Sequence, residues 1–165
     1  DQNLVVDSGT INVNTANDLD GITGGIVTAS IATDSTVDSL ATLTGTNNAY
    51  TITIAAADAT GSTAAELTAI DNATSVTVDV SAITSIEGTY EEITALYGSS
   101  GVSGFGDESI TITGGSLSVT EANAIDLLTT GTVTASIATT ETVDSLKTLT
   151  GTNAYTIVIL SLIHI

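Results

Sequence analysis

Residues 28–33 read Thr-Ala-Ser-Ile-Ala-Thr, and the same six residues return unchanged at 134–139. The repeated stretch is longer than this, because residues 8–47 align with residues 114–153 at an offset of 106. The first stretch then has one extra residue, which this alignment assigns to Asn48. Both stretches continue with Ala-Tyr-Thr-Ile. We call these stretches the first and the second copy. An internal repeat of this length predicts an array of similar units, each packed mainly against its neighbours.

A shorter period lies within the long one. Ile-Thr-Ile begins at Ile52 and at Ile110, and the related Ile-Val-Ile begins at Ile157. These triplets divide a repeat array over residues 1–159 into units of about 4–51, 52–109 and 110–159. We expect the array to be part of a longer protein, since the chain contains no Met and Asp1 is then not its natural start.

Short strands are predicted wherever apolar and polar residues alternate. The clearest case has Val27, Ala29 and Ile31 alternating with Thr28 and Ser30. Such a period of two buries one face of a strand and leaves the other polar. The same alternation is found at 50–54, 76–80, 109–113 and 133–137.

Helices are predicted to begin at capping boxes, in which a hydroxyl and a Glu three residues later satisfy exposed main-chain N–H groups. The boxes are Thr63 with Glu66, Thr89 with Glu92, and Ser118 with Glu121. Gly131 is predicted to end the helix that follows Ser118, in the left-handed conformation. Each copy also has three apolar residues spaced three apart, which fit a helical face of two to three turns or the corners of a β-solenoid. They are Val37, Leu40 and Leu43 in the first copy, and Val143, Leu146 and Leu149 in the second.

The repeated order of strand, helix, strand and helix implies crossover connections and mainly parallel strands. We therefore predict an α/β repeat solenoid with stacked short strands and short helices alongside. A right-handed parallel β-helix is the alternative, and a single compact α/β domain is the third possibility.

Composition narrows the function classes. The formal net charge is -18, because 19 Asp and Glu residues face the single cation Lys147. Nucleic acids and anionic membranes require basic residues to neutralise phosphate, so neither is an expected partner. Hydrophobic residues make up 42% of the chain, which is enough for a core. Cysteine is absent, which excludes disulfides and thiolate metal sites.

Asp18, Asp20 and Asp107 are the candidate metal ligands, and calcium is the ion that they would suit. Residues 17–21, Asn-Asp-Leu-Asp-Gly, resemble a calcium loop, in which carboxylate oxygens suit a hard cation. A solvated helix end is the other interpretation, since the second copy lacks the Asp pair. Residues 104–108, Gly-Phe-Gly-Asp-Glu, resemble one corner of a glycine-rich calcium-binding repeat. A tight turn into the next strand is the preferred interpretation, because such calcium sites require tandem copies.

No set of residues indicates catalysis. The adjacent Glu91 and Glu92 do not converge on a helix, and no Gly-x-Ser-x-Gly sequence is present. Tyr50 and Tyr155 recur at matching positions, which favours packing as their role. A polysaccharide-acting enzyme would combine clustered carboxylates with basic residues, and Lys147 is the only basic residue besides one His. We therefore expect no enzyme activity and no cofactor, with calcium as the one alternative.

Units such as residues 132–157, TVTASIATTETVDSLKTLTGTNAYTI, resemble the Thr/Asp/Gly-rich tandem-repeat regions of very large secreted or cell-surface proteins of bacteria, marine and cyanobacterial ones in particular. The resemblance implies an extracellular or cell-surface location and a structural or adhesive role. It also implies neighbouring repeats and cell-surface or matrix components as partners. A calcium-dependent repeat module and a glycan-binding or polysaccharide-acting solenoid are the alternatives.

The last six residues, 160–165, break the repeat. Their sequence Leu-Ser-Leu-Ile-His-Ile resembles the translation of a sequencing-adapter end. We expect a non-native tail there, and His164 lies within it. Without His164 the chain has no His for a catalytic triad or a metal site.

Overall fold

A computed structural model describes residues 1–56 and 61–159. The predicted tail at 160–165, with His164, lies outside the described residues. The strands are β1 (Leu4–Ile11), β2 (Val27–Ile31), β3 (Ala49–Thr51), β4 (Ser62–Thr63), β5 (Val78–Asp79), β6 (Ser85–Gly88), β7 (Val102–Ser103), β8 (Ser109–Leu117), β9 (Val133–Ile137) and β10 (Ala154–Thr156). The helices are α1 (Val13–Ile22), α2 (Val37–Leu40), α3 (Ala64–Ala73), α4 (Tyr90–Tyr97), α5 (Val119–Asp126) and α6 (Val143–Leu146).

Within the described residues, the strands pair in parallel throughout. They form sheets with the strand orders β1-β2-β3, β10-β9-β8-β6-β4 and β5-β7. Single parallel bridges from Asn48 to Thr74 and from Thr53 to Asp79 link the segment of β3 to that of β5. The predicted α/β class with mainly parallel strands is thus confirmed, and helices α1 and α3, of 10 residues each, distinguish it from an all-β chain.

The strand register shows how far the chain travels between neighbouring strands. Thr134 of β9 pairs with Ala154 of β10, 20 residues further on. Ser85 of β6 pairs with Ser109 of β8, 24 residues further on. Parallel neighbours need a crossover, and a short helix provides it in most of these intervals. We call a strand together with the helix that follows it a passage of the chain. Each of the units expected from the sequence contains two such strand–helix passages.

The three predicted capping boxes are all formed. In the first, the main-chain N–H of Glu66 donates to Thr63 Oγ1 at 3.1 Å, and the N–H of Thr63 donates to Glu66 Oε2 at 2.9 Å. Both reciprocal bonds recur at Thr89 with Glu92 and at Ser118 with Glu121. These glutamates are therefore structural, because one carboxylate oxygen already holds the start of each helix.

The prediction for Gly131 was wrong. Helix α5 ends at Asp126 with Leu127 as its C-cap in the right-handed region, and Gly131 does not adopt a positive φ. A glycine is required at this position for another reason, since a Cβ here would overlap the carbonyl oxygen of Glu108. Gly131 therefore permits the close approach of two chain segments.

The helices around Val37 and Val143 are shorter than the two to three turns allowed by the spacing. Both α2 and α6 have four residues. After α2, the N–H groups of Thr42 and Leu43 donate to the carbonyls of Ser39 and Leu40, which gives single hydrogen-bonded turns in place of a longer helix. Leu43 packs against the core from this turn rather than from a helix.

The core is one cluster of buried apolar side chains that extends from Val13 to Ile137. The inward residues of each strand meet the inward faces of the helices, such as Leu67 and Ile70 of α3. Tyr50, which is completely buried, is among the largest side chains within it. In the described part of the chain, no helix has the length and apolar character to cross a membrane.

Candidate functional site

Polar side chains connect the end of α1 to the turn before β3, and we call them the first polar network. The carboxylate of Asp20 accepts hydrogen bonds from Thr44 Oγ1 at 2.9 Å and from Asn48 Nδ2 at 3.0 Å. Asn17 Oδ1, one helical turn earlier, accepts from the main-chain N–H of Thr44 at 2.8 Å. Asn48 Oδ1 in turn accepts from the N–H of Val27 at 2.9 Å. The network therefore joins three consecutive passages of the chain.

The second polar network repeats these contacts in the second copy. Asp126 accepts from Thr150 Oγ1 at 2.7 Å and from Asn153 Nδ2 at 2.6 Å. Asn123 Oδ1 accepts from the N–H of Thr150 at 2.9 Å. Asn153 Oδ1 accepts from the N–H of Val133 at 2.8 Å. Four pairs of polar residues thus keep the same partners in both copies.

The networks correct the alignment of the two copies. Asn48, and not Asn47, takes the place of Asn153, because both bond to the aspartate and to the first strand residue. The assignment of Asn48 as the extra residue was therefore wrong. The additional residue is accommodated in the turn before Asn48, where Asn47 has a φ of 63°. Asn is among the residues that tolerate this left-handed conformation best.

An aspartate at the end of a helix has an electrostatic cost, which the network offsets. The C-terminal end of a helix carries partial negative charge, so an acidic residue there is unfavourable by about 0.3–1 kcal/mol. Asp20 and Asp126 both lie in this last turn. Hydrogen bonds to an ionised acceptor are about twice as strong as neutral ones. Gly45 and Gly151 make room for them, since a Cβ at either position would overlap the carboxylate.

Asp71 near the end of α3 has a related arrangement. Its Oδ2 accepts a hydrogen bond from Ser99 Oγ at 2.7 Å, and Ser99 Oγ accepts one from the N–H of Gly101 at 3.1 Å. A Cβ at Gly101 would overlap Asp71. The end of α3 is therefore joined to the following passage by the same combination of aspartate, hydroxyl and glycine.

A threonine after α1, α3 and α5 forms a further recurring contact. Each hydroxyl donates to a carbonyl of the preceding passage: Thr23 to Gln2, Thr74 to Tyr50 and Thr129 to Glu108. Each also accepts a hydrogen bond from the main-chain N–H two residues later. These threonines stabilise the contact between neighbouring passages, which accounts for part of the Thr content.

The candidate metal ligands are not brought together. Asp18 is exposed on α1, and Asp20 takes part in the first polar network. Both lie in a helix and not in a loop, as the helix-end interpretation predicts. Asp107 is exposed in the turn before β8, and its N–H donates to Glu108 Oε2. Across residues 1–56 and 61–159, no group of three or more His, Cys, Asp or Glu is placed to hold a metal ion.

Glu108 is a buried acidic residue that was not singled out from the sequence. Only 2% of it is exposed, and one oxygen accepts from the N–H groups of Gly106 and Asp107 at 2.8 and 3.2 Å. The other oxygen accepts a hydrogen bond from the phenol of Tyr97, whose ring stacks on Phe105 at 4.2 Å between centroids. The turn at 104–108 is thus a tight turn built around its own Glu, which supports the structural interpretation of that sequence.

The phenols of Tyr50 and Tyr97 are held in their protonated form. Burial, followed by the charge of Asp20, raises the pKa of Tyr50 to about 12. Burial and then the hydrogen bond to Glu108 also raise the pKa of Tyr97. A phenol with so high a pKa does not act as an acid or base near neutral pH.

Two depressions on the described surface are lined mainly by polar groups. One of about 110 Å³ lies between the start of α4 and Gly114–Gly115 of β8, with Glu91 and Glu121 at its edge. Another, of about 340 Å³, includes Asp20 and Asn48 of the first polar network. Neither is lined by Lys, Arg, His or Cys.

Comparison with protein-family models, curated proteins and solved structures found no match.

Proposed function

We propose that this chain is a non-enzymatic scaffold segment, an α/β solenoid in which strand–helix passages stack on one another. The observation that carries the proposal is the exact repetition of the polar network, with Asp20 and Asn48 in one copy and Asp126 and Asn153 in the other. These contacts join neighbouring passages, so their role is to maintain the stack. A repeated contact of this kind suits a protein that gains length by adding units.

The proposed setting is an exported, very large bacterial surface protein, in which the array supplies length and an adhesive surface. Two features support it. The chain has a net charge of -18, and its described ion pair, Lys147 with Asp144, is exposed. Such a surface repels copies of itself and remains soluble. The polar depressions near Asp20 and Glu91 favour no particular small ligand.

Small-angle X-ray scattering tests the stacking. A second copy of residues 50–154 is inserted between Ala154 and Tyr155, so that both junctions read Ala-Tyr as in the natural repeat. We expect the longest dimension to increase in proportion to the added length, with an unchanged cross-section. A compact domain would instead increase its radius of gyration only as about the 0.38 power of the residue number, and that result would contradict the proposal.

Activity assays test the non-enzymatic part separately. Reproducible hydrolase or lyase activity on polysaccharides by the isolated chain would contradict it. Binding to glycans without turnover would identify the adhesive surface as a glycan-binding one and leave the scaffold role intact.

A further inference from the structure

The two copies differ in burial at one edge of the chain. Val37 of the first copy is 3% exposed, whereas Val143 at the same position is 53% exposed. Ile54 is 3% exposed, whereas its counterpart Ile159 is 66% exposed. The local sequences are nearly the same, so the difference comes from what packs against them. We define the C-terminal apolar edge as Val143, Leu146, Tyr155, Ile157 and Ile159.

In the first copy, this edge is covered by the following passage of the chain. Helix α3 packs against α2 and buries Leu67 and Ile70. Thr74, just after the helix, accepts a hydrogen bond from the N–H of Tyr50 at 3.0 Å and donates one to its carbonyl at 2.8 Å. The N–H of Ser75 donates to the carbonyl of Asn48 at 2.7 Å. A helix and an extended segment together thus complete the first copy.

The second copy has the same kind of surface at its C-terminal apolar edge. Its strand β10 is the edge strand of the sheet β10-β9-β8-β6-β4 in the described residues, where α6 is the last helix. Tyr155 and Asn153 correspond to Tyr50 and Asn48. In the first copy, the N–H and carbonyl of Tyr50 and the carbonyl of Asn48 are the groups that bond to the covering segment. An edge strand with an apolar flank is a template for adding another strand.

We propose that the C-terminal apolar edge binds a strand–helix segment of the same kind as residues 62–80, as a further repeat unit. The segment is specified by its chemistry. It has a Thr or Ser with Glu three residues later to start a helix, as at Thr63 and Glu66. Its helix presents small and branched apolar residues like Ala64, Leu67 and Ile70, and a Thr-Ser pair follows. This inference rests on the proposed stacking of passages.

A second molecule of this chain is a poorer occupant. Its own residues 62–80 are already engaged with its first copy, where Thr74 is 7% exposed and Ile70 is completely buried. The net charge of -18 on each molecule also opposes association.

A graft tests the proposal. Residues 155–165 are replaced by residues 50–82, so that the second copy is followed by the sequence that covers the first. The control carries Leu67→Asp and Ile70→Asp in the grafted segment only. Hydrogen exchange is followed in residues 140–154, whose sequence is distinguished from the first copy by Lys147. The unmodified chain is the reference, and exchange in residues 102–126 reports whether each variant is folded.

We expect exchange around Val143 and Leu146 to be slowed at least about tenfold by the native graft, since burial under a packed helix restricts local opening. The control graft should leave it at the rate of the unmodified chain. Equal exchange in both grafts would overturn the proposal. So would concentration-dependent protection of the edge in the unmodified chain, which would identify a second copy as the occupant. If the lengthened chain elongates in the scattering experiment but the native graft gives no protection, this inference fails while the proposed function stands.

Discussion

Tyr97 donates a hydrogen bond to Glu108 from its phenol, and the other oxygen of Glu108 accepts from the main chain of the turn that precedes β8. Glu108 is 2% exposed, so the hydrogen bonds of its carboxylate replace those of water. A buried acceptor that loses its donor is left with the cost of desolvation. This pair therefore fixes the path of the chain between α4 and β8.

Replacing Tyr97 with Phe should destabilise the chain. The ring and its stacking on Phe105 are retained, but one oxygen of Glu108 loses its donor. We expect the free energy of unfolding to fall by about 1–3 kcal/mol, measured by urea denaturation. Tyr90→Phe is the matched control, because the phenol of Tyr90 makes no hydrogen bond within residues 1–56 and 61–159. Equal losses in the two variants would contradict a specific role for the pair.

Substitution of the two equivalent asparagines by Ala should have unequal effects. Asn48 is 2% exposed, whereas Asn153 is half-buried. Asn48→Ala removes the acceptor of the Val27 N–H and the donor to Asp20 Oδ1, while Thr44 still donates to Asp20 Oδ2. We expect a loss of about 1–3 kcal/mol. Asn153→Ala should cost less, since Asn153 is itself only half-buried and water can take the place of its amide. Urea midpoints compare the two, and a larger loss at Asn153 would show that burial does not set the energy of the network.

Ser62→Ala should stabilise the chain. The hydroxyl of Ser62 is buried, with no hydrogen-bond partner among the described residues. It faces Ile86 in the neighbouring strand, and Ile110 and Val133 follow in the same row. Removing an unsatisfied hydroxyl is expected to raise the free energy of unfolding by about 1 kcal/mol. Thermal and urea unfolding measure it, with the exposed Ser109→Ala as control. A destabilised Ser62→Ala would mean that the hydroxyl has a partner.

Stability should decline at alkaline pH. The folded chain raises the pKa of Tyr50 to about 12, from about 10 in an unfolded chain. The protonated phenol is therefore favoured by folding, and this contribution is complete below pH of about 10. It is lost as the pH rises through the folded value. Unfolding free energies across this range should decline less steeply in Tyr50→Phe, and an identical slope would exclude Tyr50 as the cause.

Salt should raise the unfolding temperature, because it screens the repulsion among 19 acidic residues. Calcium and magnesium at equal ionic strength should give equal shifts, since the described acidic residues form no metal-holding group. Thermal melts with each ion and with chelator measure this. A saturable shift specific to calcium would instead support the calcium-dependent alternative, and Asp20→Asn and Asp107→Asn would then locate the site.

Much of the local structure could be predicted from the sequence, because it depends on residues close together in the chain. The capping boxes are an example, since Thr63 and Glu66 are three residues apart and meet in any helix that starts there. The alternation at Val27, Ala29 and Ile31 predicted a half-buried strand for the same reason. The parallel α/β class followed from the order of these elements.

The polar networks could not be predicted in the same way. Asp20 and Asn48 are 28 residues apart, and no local rule brings their side chains to 3.0 Å. A signal was nevertheless present, since Asn-x-x-Asp at the end of α1 and of α5 recurs with a Thr and an Asn in the turns before β3 and β10. Glu108 gave no such signal, because its burial depends on Tyr97 from a preceding helix.

Val37 and Val143 show what the sequence by itself does not determine. Both begin a four-residue helix with the sequence Val-Asp-Ser-Leu after a capping Thr, so the sequence determined the helix in both places. Tertiary structure alone decided that Val37 is buried and Val143 is exposed. Helix capping is satisfied within one turn of the chain, whereas burial requires a neighbouring passage to lie against the side chain and exclude water.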